Sequence, residues 1–382
     1  MHPFIFTILL LAFSAQVPST LAEPEALAPF PTAGDDKVII PETYIVVLKT
    51  GTNTSVRDDI LAKLSDEPDH VYDKFLNGFA KSLSETEVEL LRNNQHVDYI
   101  EENAVLLASG TVVQPDAGNY VYHKSAGKGT CAYVLDTGIY DKHPDFKGRA
   151  KQIKSFVKGQ DTDGSGHGTH IAGIIGSATY GVAKRTRIFG IKVLNDSNRG
   201  NVADVIKGIE FIEEHKKKHS CPNGVVVSFA MGDRKSRSLD QAAAKLIETG
   251  VFVAVAAGNS NTPADRYSPA SERSVCVVGG MQKNDALLYM DESFASNFGS
   301  AVDIFAPARE IISTSNSGKT KSYSGTSQAA AFIVGLAAYL GTLDGLSGTA
   351  ALCNRIRQLA TKDAIVDQRS DTVSLLAFNG AT

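Results

Sequence analysis

Three short segments, far apart in the chain, each place one reactive side chain among glycines. They read YVLDTGI around Asp136, DGSGHGTHIAG around His167 and SYSGTSQAAA around Ser327. A carboxylate, an imidazole and a hydroxyl form a hydrolytic triad, in which the imidazole takes the hydroxyl proton and the carboxylate fixes the imidazole tautomer. A fourth segment, VFVAVAAGNSN, supplies an amide donor at Asn259. These residue types predict hydrolysis through a serine nucleophile.

Each of the four residues also has an ordinary structural interpretation. Ser327 alone fits a helix N-cap, Asp136 alone fits a strand-end turn, and Asn259 alone fits a left-handed turn position. A lone histidine such as His167 is more often a core residue than a catalyst. We interpret the neighbouring His170 as structural. The joint occurrence of all four groups in one chain favours the catalytic interpretation.

Apolar runs alternate with helical segments from Gly129 onward. Runs that are apolar throughout are typical of strands buried on both faces of a parallel sheet. In an open α/β sheet the active groups collect at the carboxyl ends of strands, and Asp136 and Asn259 each follow such a run. Residues 328–340 are apolar almost all round, which predicts a central helix with Ser327 at its N-terminus. The predicted fold is an open α/β sandwich.

A smaller module precedes this domain. Strand-like and helix-like patterns follow one another between Tyr44 and Glu101 in a βαββαβ-like order. A module of roughly 65 to 70 residues is near the lower limit for an independent core, so we expect it to pack against the larger domain.

The N-terminal residues predict export. Residues 1–22 contain an apolar run, Phe4 to Phe13, followed by small residues that suit a signal-peptidase cut. That run is shorter than the ~20 residues needed to span a bilayer. We therefore expect a signal peptide over 1–22, a propeptide over 23–109 with its folded module at about 41–107, and a catalytic domain over 110–382. The expected location is extracellular.

Composition and cysteine content limit the expected partners and predict disulfide bonds. The formal net charge is −4 with 21% charged residues, which gives no polyanion-binding signature, so nucleic acid is not an expected partner. No later segment predicts a membrane anchor.

An even number of cysteines in an exported chain predicts two disulfides, for which the sequence alone allows three pairings. The four residues are Cys131, Cys221, Cys276 and Cys353.

The motifs together resemble the subtilase superfamily of serine peptidases, and most closely its fungal proteinase K-like branch. The resemblance rests on YVLDTGI, GHGTHIAG, VAVAAGNSN and SGTS, and extends from about Ala126 to the C-terminus through TYGVAK, YSPASE, DIFAP and GLAAYL. It implies a subtilisin-like three-layer sandwich with a mostly parallel sheet. It also implies that Asp136, His167 and Ser327 are the triad of a secreted endopeptidase, with Asn259 completing the oxyanion hole.

The small module is similar to the inhibitory propeptide of the same family, of the inhibitor I9 type. The resemblance implies a small α+β, ferredoxin-like domain that inhibits the enzyme until self-processing near Leu107 to Gly110. It also implies protein or peptide substrates, a monomer, and no cofactor for catalysis.

Further site residues follow from the resemblance. It implies disulfides between Cys131 and Cys221 and between Cys276 and Cys353. It implies a structural calcium ion, held by the carboxylate of Asp303 and the backbone carbonyls of Arg273 and Val275. Two sequons predict glycosylation, at Asn53 and Asn195.

The substrate is expected to lie as an added strand between two edges of the enzyme. One edge contains Gly200 and Asn201, and the other contains Phe229, Ala230, Met231 and Gly232. We find no acid at the floor of the predicted pocket, so we expect apolar or aromatic residues before the scissile bond. Asp233, which replaces a family glycine, would allow the pocket to accept some basic residues.

Three departures motivate an alternative function, and one of them is that the segment between Leu107 and Tyr120 is shorter than in the family. Gln328 replaces an apolar residue beside the nucleophile, and Ala331 replaces the family's proline. A misplacement of about 1 Å can cost a hundredfold in rate. The alternative is therefore a catalytically impaired subtilase fold that acts as a binding module. A third interpretation, a dibasic processing protease, would need a cluster of acids in the pocket, where only Asp233 is present.

Overall fold

The computed structural model describes residues 39–107, 120–367 and 369–380. The predicted signal peptide, the first part of the predicted propeptide and residues 108–110 of the predicted processing region lie outside these ranges. The described residues form a small N-terminal domain and a large domain.

The small domain has the predicted βαββαβ order. Its elements are β1 (Ile39–Leu48), α1 (Thr54–Leu61), β2 (His70–Tyr72), β3 (Gly78–Ser82), α2 (Glu85–Arg92) and β4 (Val97–Leu107). The four strands pair antiparallel in the order β2-β3-β1-β4. The sequence pattern gave no residue range for the short strand β2, because three residues carry too little periodicity to be recognised.

The sheet of the small domain is buried on both faces. Successive side chains of a strand point to opposite faces. Val46 and Leu48 of β1 pack in a cluster with residues of α1 and α2, such as Ile60 and Leu91. Ile45 and Val47 belong instead to the core shared with the large domain. The small domain therefore completes its burial against the large one, as its size predicts.

The large domain is built on a nine-stranded sheet in the order β19-β20-β16-β13-β11-β9-β5-β7-β6. All neighbouring pairs are parallel except β19 with β20. The strands of this sheet are β5 (Cys131–Asp136), β6 (Ala150–Ser155), β7 (Arg187–Lys192), β9 (Val225–Phe229), β11 (Phe252–Ala256), β13 (Cys276–Met281), β16 (Ile304–Pro307), β19 (Thr361–Lys362) and β20 (Leu375–Leu376).

Further strands lie outside the central sheet: β8 (Arg199–Asn201), β10 (Asp233–Arg234), β12 (Tyr267–Ser268), β14 (Tyr289–Asp291), β15 (Phe294–Ala295), β17 (Ile311–Thr314) and β18 (Thr320–Tyr323). The helices are α3 (His167–Gly176), α4 (Val202–Lys217), α5 (Arg237–Glu248), α6 (Thr326–Asp344) and α7 (Thr349–Leu359), with two 3₁₀ turns at Pro144–Phe146 and Ala264–Arg266.

Side chains alternate between the two faces of the central sheet, and helices pack on each face, so the domain has three layers. Tyr133 and Leu135 of β5 face the core formed with α4 and α5. Ala132 and Val134 face the core formed with α3, α6 and α7. The result is a sandwich of helices, a mostly parallel sheet and helices, as predicted.

Helix α6 is the central helix. Its residues from Thr326 to Ala331 are all buried. Within the described ranges it is the one helix with the length and hydropathy to cross a membrane, and 83% of its most apolar window is buried inside the domain. It is therefore a core helix, and the start of this rigid element fixes the position of Ser327.

Two disulfides close long loops in the large domain. Cys131 is bonded to Cys221 and Cys276 to Cys353, at sequence separations of 90 and 77 residues. These are the pairs that the family resemblance implies. In the chain-entropy model, each is worth roughly 4 to 5 kcal/mol through restriction of the unfolded chain.

Candidate active site

Asp136 and His167 form a buried pair at the carboxyl end of β5. Asp136 is the last residue of that strand and is fully buried. Its Oδ1 lies 2.8 Å from Nδ1 of His167 and also accepts a bond from the Thr137 N–H at 2.7 Å. Because a carboxylate only accepts, Nδ1 of His167 carries the proton and Nε2 carries the lone pair. That tautomer is the one a general base requires.

Glycines allow helix α3 to approach β5 closely. The helix begins at His167, and Gly166 before it has a φ of 90°, a conformation that favours glycine. A Cβ at Gly168 would lie 2.1 Å from the carbonyl oxygen of Gly138. The glycine frame around His167 therefore serves to bring the imidazole to the carboxylate of Asp136.

Asp163 holds the start of α3 in place, although it was not predicted to have a role. Its Oδ1 accepts bonds from the Thr137 hydroxyl at 2.7 Å and from the Gly166 N–H at 2.8 Å. Its Oδ2 accepts from the Thr169 N–H at 2.9 Å. The side chain thus ties the loop after β5 to the helix that carries His167. A carboxylate just before a helix N-terminus was the available sequence signal.

The pKa values of the two histidines of α3 are shifted in opposite directions. Burial acts to lower the pKa of His167, but the charge and hydrogen bond of Asp136, with the charge of Asp163, outweigh it and raise this pKa overall. Burial and the charge of His167 lower the pKa of His170 to about 3. His170 Nε2 contacts the carbonyl oxygens of Ile311 and Lys321 at 2.9 and 3.1 Å. His170 therefore joins α3 to the β17–β18 hairpin.

Ser327 is held at the start of α6 in a resting position. It is 1% exposed, and its hydroxyl donates to the carbonyl oxygen of Ala230 at 2.9 Å. In the described part of the chain, Nε2 of His167 has no hydrogen-bond partner. The structure thus brings Asp136 and His167 into contact but does not join His167 to Ser327.

Asn259 follows β11 and contacts the N-terminus of α6. Its Oδ1 accepts from the Thr326 N–H at 2.8 Å, which fixes the amide with Nδ2 as the donor end. The Thr326 hydroxyl in turn accepts from the Gly258 N–H at 3.1 Å. Asn259 and Ser327 both line one cavity of about 200 Å³.

Some of the predicted substrate-binding residues line this cavity and others do not. Met231 and Gly232 line it, together with Ala256 and Ala257. Phe229 and Ala230 do not, because both side chains are fully buried in the core. The remaining lining residues are Asp233, Gly258, Ser260, Tyr267, Ser293, Phe294 and Thr326. Tyr267, Ser293 and Phe294 were not predicted to line the cavity, since all three lie apart in sequence from the four segments that carry Asp136, His167, Asn259 and Ser327.

The predicted substrate edge that contains Gly200 and Asn201 is occupied by the end of the small domain. Gly200 and Asn201 belong to β8, which pairs antiparallel with β4. Leu106 lies opposite Gly200, and Leu107 lies opposite Arg199. The C-terminal strand of the small domain therefore lies along the large domain as an added strand.

Polar side chains of the small domain also cap two helices of the large one. Oε2 of Glu101 accepts from both the N–H and the hydroxyl of Ser238, at 2.9 and 2.8 Å, in the first turn of α5. Oδ1 of Asn103 accepts from the Ala203 N–H at 3.3 Å, in the first turn of α4. Helix N-termini favour such oxygen acceptors because their first N–H groups lack helical partners. These contacts fix the small domain over the substrate edge.

The residues predicted to hold calcium do not fit that ion. Oδ2 of Asp303 accepts from the Val277 N–H at 2.9 Å, and Oδ1 lies 3.8 Å from the Arg357 guanidinium. Calcium takes six to eight oxygen ligands, whereas here the one carboxylate is engaged by an amide and a cation. The nearest cluster in the described residues joins Asp303 to Cys276 and Cys353, whose sulfurs form a disulfide and carry no thiolate.

The two predicted glycosylation sites lie on different domains. Asn53 is exposed and caps α1, with its Oδ1 accepting from the Ser55 N–H. Asn195 is half-buried, and its Oδ1 accepts from the N–H groups of Ser197 and Arg199. Both sites stay predictions.

Gln328 is a buried polar residue beside the nucleophile. It is 0% exposed, and neither its Oε1 nor its Nε2 has a hydrogen-bond partner within the described residues. An unpaired buried polar group costs about 1–3 kcal/mol. The amide therefore destabilises the start of α6.

We expect Gln328→Met to raise the free energy of unfolding by about 1–3 kcal/mol, because it removes unpaired groups with little change of volume. Denaturant unfolding in a Ser327→Ala background, which prevents self-digestion, measures this change. Gln358→Met, at an exposed position of α7, is the control and should change stability by less than about 0.5 kcal/mol. A fall in stability on Gln328→Met would contradict this view of the amide.

Comparisons with known proteins agree with this architecture. Residues 127–373 match the family model described as the subtilase family, and residues 43–108 match the one described as peptidase inhibitor I9. The chain is 43% identical to a cuticle-degrading protease of Metarhizium anisopliae, with 100% of both chains covered. It is 44% identical to proteinase R of Parengyodontium album, over 97% of each chain. A crystal structure of a cold adapted subtilisin-like serine proteinase matches with a TM-score of 0.63 and 35% identity, over 71% of this chain and 96% of that chain.

Proposed function

The chain belongs to the subtilase family of serine peptidases, and we propose that Asp136, His167 and Ser327 are its catalytic triad, with Asn259 in the oxyanion hole. The chain is a serine endopeptidase made with an inhibitory propeptide. The observation that best supports the assignment is the 2.8 Å contact between His167 Nδ1 and Asp136 Oδ1 in a buried pair. It gives His167 the tautomer and the raised pKa of a base beside a fixed carboxylate.

Catalysis requires one rearrangement from the resting geometry. The Ser327 hydroxyl rotates from the Ala230 carbonyl toward Nε2 of His167, which is unpaired among the described residues. Such bonds often tighten only when substrate is bound. His167 then takes the hydroxyl proton as Ser327 Oγ attacks the scissile carbonyl, and the charge of Asp136 stabilises the imidazolium that forms.

The remaining steps follow from the same groups. Nδ2 of Asn259 and the Ser327 N–H at the start of α6 donate to the developing oxyanion. His167 gives its proton to the leaving amine, so the acyl chain stays on Ser327. Water then attacks the acyl-enzyme with His167 again as base, and this step releases the acid product and regenerates the hydroxyl.

The propeptide acts as an internal inhibitor. Strand β4 pairs with β8 in the way an extended substrate would, and Glu101 and Asn103 hold it on the large domain. The chain after Leu107 is the expected self-cleavage region, which divides the precursor into the propeptide, residues 23–109, and the mature domain, residues 110–382. Release of the small domain then frees the β8 edge for substrates.

The protein is proposed to be secreted as a monomer. The N-terminal signal pattern and the two disulfides support an extracellular location, because disulfides persist in oxidising compartments. A relative named as a cuticle-degrading protease is consistent with an enzyme that digests external proteins. Disulfides suit such an enzyme because local unfolding exposes it to self-digestion.

Residue preference is set by the cavity beside Ser327. Met231, Phe294, Ala256 and Ala257 give it apolar walls, and Asp233 is one acid in its lining. Apolar walls favour apolar or aromatic side chains before the scissile bond. A single half-buried acid adds limited tolerance for a basic residue.

A library of peptides that differ at the residue before the scissile bond tests this specificity. We expect kcat/KM for Phe or Leu to exceed that for Lys by at least about tenfold. Asp233→Ser should lower cleavage after Lys further and leave cleavage after Phe unchanged. The control is Asp265→Ser, at an exposed position outside the cavity lining. A wild-type preference for Lys or Arg over Phe would refute the proposed specificity.

A further inference from the structure

Asp303 lies at the position where a structural calcium ion was expected, and the Arg357 guanidinium lies beside it. Oδ1 is 3.8 Å from Nη1 of Arg357, which projects from α7. The charge of Arg273, from the loop before β13, also acts on this carboxylate. We propose that the Arg357 guanidinium takes the place of a metal ion here, so that the stability of this protein does not depend on calcium.

The groups around Asp303 are unfavourable for binding a divalent cation. One oxygen of Asp303 is engaged by the Val277 N–H at 2.9 Å. The other faces a guanidinium that carries a permanent positive charge. Arg273, whose backbone carbonyl would be a ligand, brings a second positive charge. A calcium ion would therefore meet two like charges and one partly engaged carboxylate, where it needs several oxygen ligands.

The ion pair lies beside the second disulfide. Cys276 begins β13, Cys353 lies on α7, and an oxygen of Asp303 is within 4.8 Å of both sulfurs. Asp303 itself directly precedes β16. The disulfide therefore connects α7 to β13, and the ion pair connects α7 to the residue before β16.

The test compares melting temperatures of the full-length Ser327→Ala precursor in EDTA and in millimolar CaCl₂. We expect the two temperatures to coincide. Binding of calcium to the native state alone would raise the melting temperature by several degrees once calcium far exceeds its dissociation constant. A calcium-dependent rise that Asp303→Asn abolishes would overturn the proposal.

Variants of two arginines on α7 distinguish the proposed role of Arg357 from a general effect of removing a positive charge. Arg357→Gln should lower the melting temperature in EDTA, and the double variant Arg357→Gln/Arg273→Gln should gain a calcium-dependent rise. Arg355→Gln is the matched control, because Arg355 lies on the same helix as Arg357 but pairs with Asp344 of α6, at 2.7 Å. It should show no calcium response. An Arg357→Gln protein as stable in EDTA as the parent would contradict the role given to this guanidinium.

Calorimetric titration of the wild-type precursor with CaCl₂ does not depend on any variant folding. The absence of saturable binding supports the proposal. Saturable binding that is lost in Asp303→Asn contradicts it, since it would place the ion at this carboxylate.

Discussion

The Ser327→Ala precursor is expected to stay full-length, while the wild-type precursor cleaves itself near residues 107–110. The reason is that the Ser327 hydroxyl lies at the start of α6, in the cavity that also holds Asn259 of the proposed oxyanion hole, whereas the neighbouring Thr326 hydroxyl accepts from the Gly258 N–H. The mass of the secreted chain, followed over time, measures the cleavage.

The same variant separates catalysis from folding. Once its propeptide has been removed in trans, we expect kcat to be lower by a factor on the order of 10⁶. Ser322→Ala is the control, because Ser322 is also buried and its hydroxyl has no hydrogen-bond partner in the described ranges. It should process normally. Self-cleavage by the Ser327→Ala protein would show that another group is the nucleophile.

Asp136→Asn is expected to lower kcat by a factor of about 10⁴ without changing the fold. An amide can hold the imidazole in the wrong tautomer, and it cannot stabilise the imidazolium by charge. Steady-state kinetics of the processed enzyme measure the loss. Asp141→Asn, whose carboxylate bonds the Gln152 N–H outside the triad, is the control and should leave kcat unchanged.

The pH profile gives Asp136 a second, independent readout. His167 acts as base only when neutral, so activity is lost as the pH falls through the pKa of His167. In the wild type, Asp136 raises that pKa above the ordinary value of about 6.5. Without the carboxylate charge the pKa falls, and we expect the acid limb of kcat/KM to move to lower pH. An unchanged acid limb in Asp136→Asn would contradict the electrostatic role of Asp136.

Features with local sequence signals were predictable. Asp136 ends a strand, His167 begins a helix and Asn259 follows a strand, and the sequence pattern of each element is recognisable. Glycines beside these residues mark close backbone approaches. The 2.1 Å distance from a Cβ at Gly168 to the Gly138 oxygen shows why that glycine is required. The apolar character of α6 likewise predicted its central position.

Features that depend on distant contacts were not predictable. Phe229 was assigned to the pocket, but side chains alternate along a strand, and a local motif does not say which face meets the cavity. Asp303 has a recognisable sequence context, yet Arg357 reaches it from a helix far along the chain. The hydrogen bond from Ser327 to the Ala230 carbonyl is also a tertiary contact, so no motif encodes it.

Labelling of the processed wild-type enzyme with a fluorophosphonate probe, followed by peptide mapping, identifies the nucleophile. We expect one adduct, on Ser327, and none in a folded His167→Ala protein, because the hydroxyl is then no longer activated. A folded wild-type protein that stays unlabelled, or is labelled on another residue, would contradict the triad assignment. The first of these results would favour the binding-module alternative.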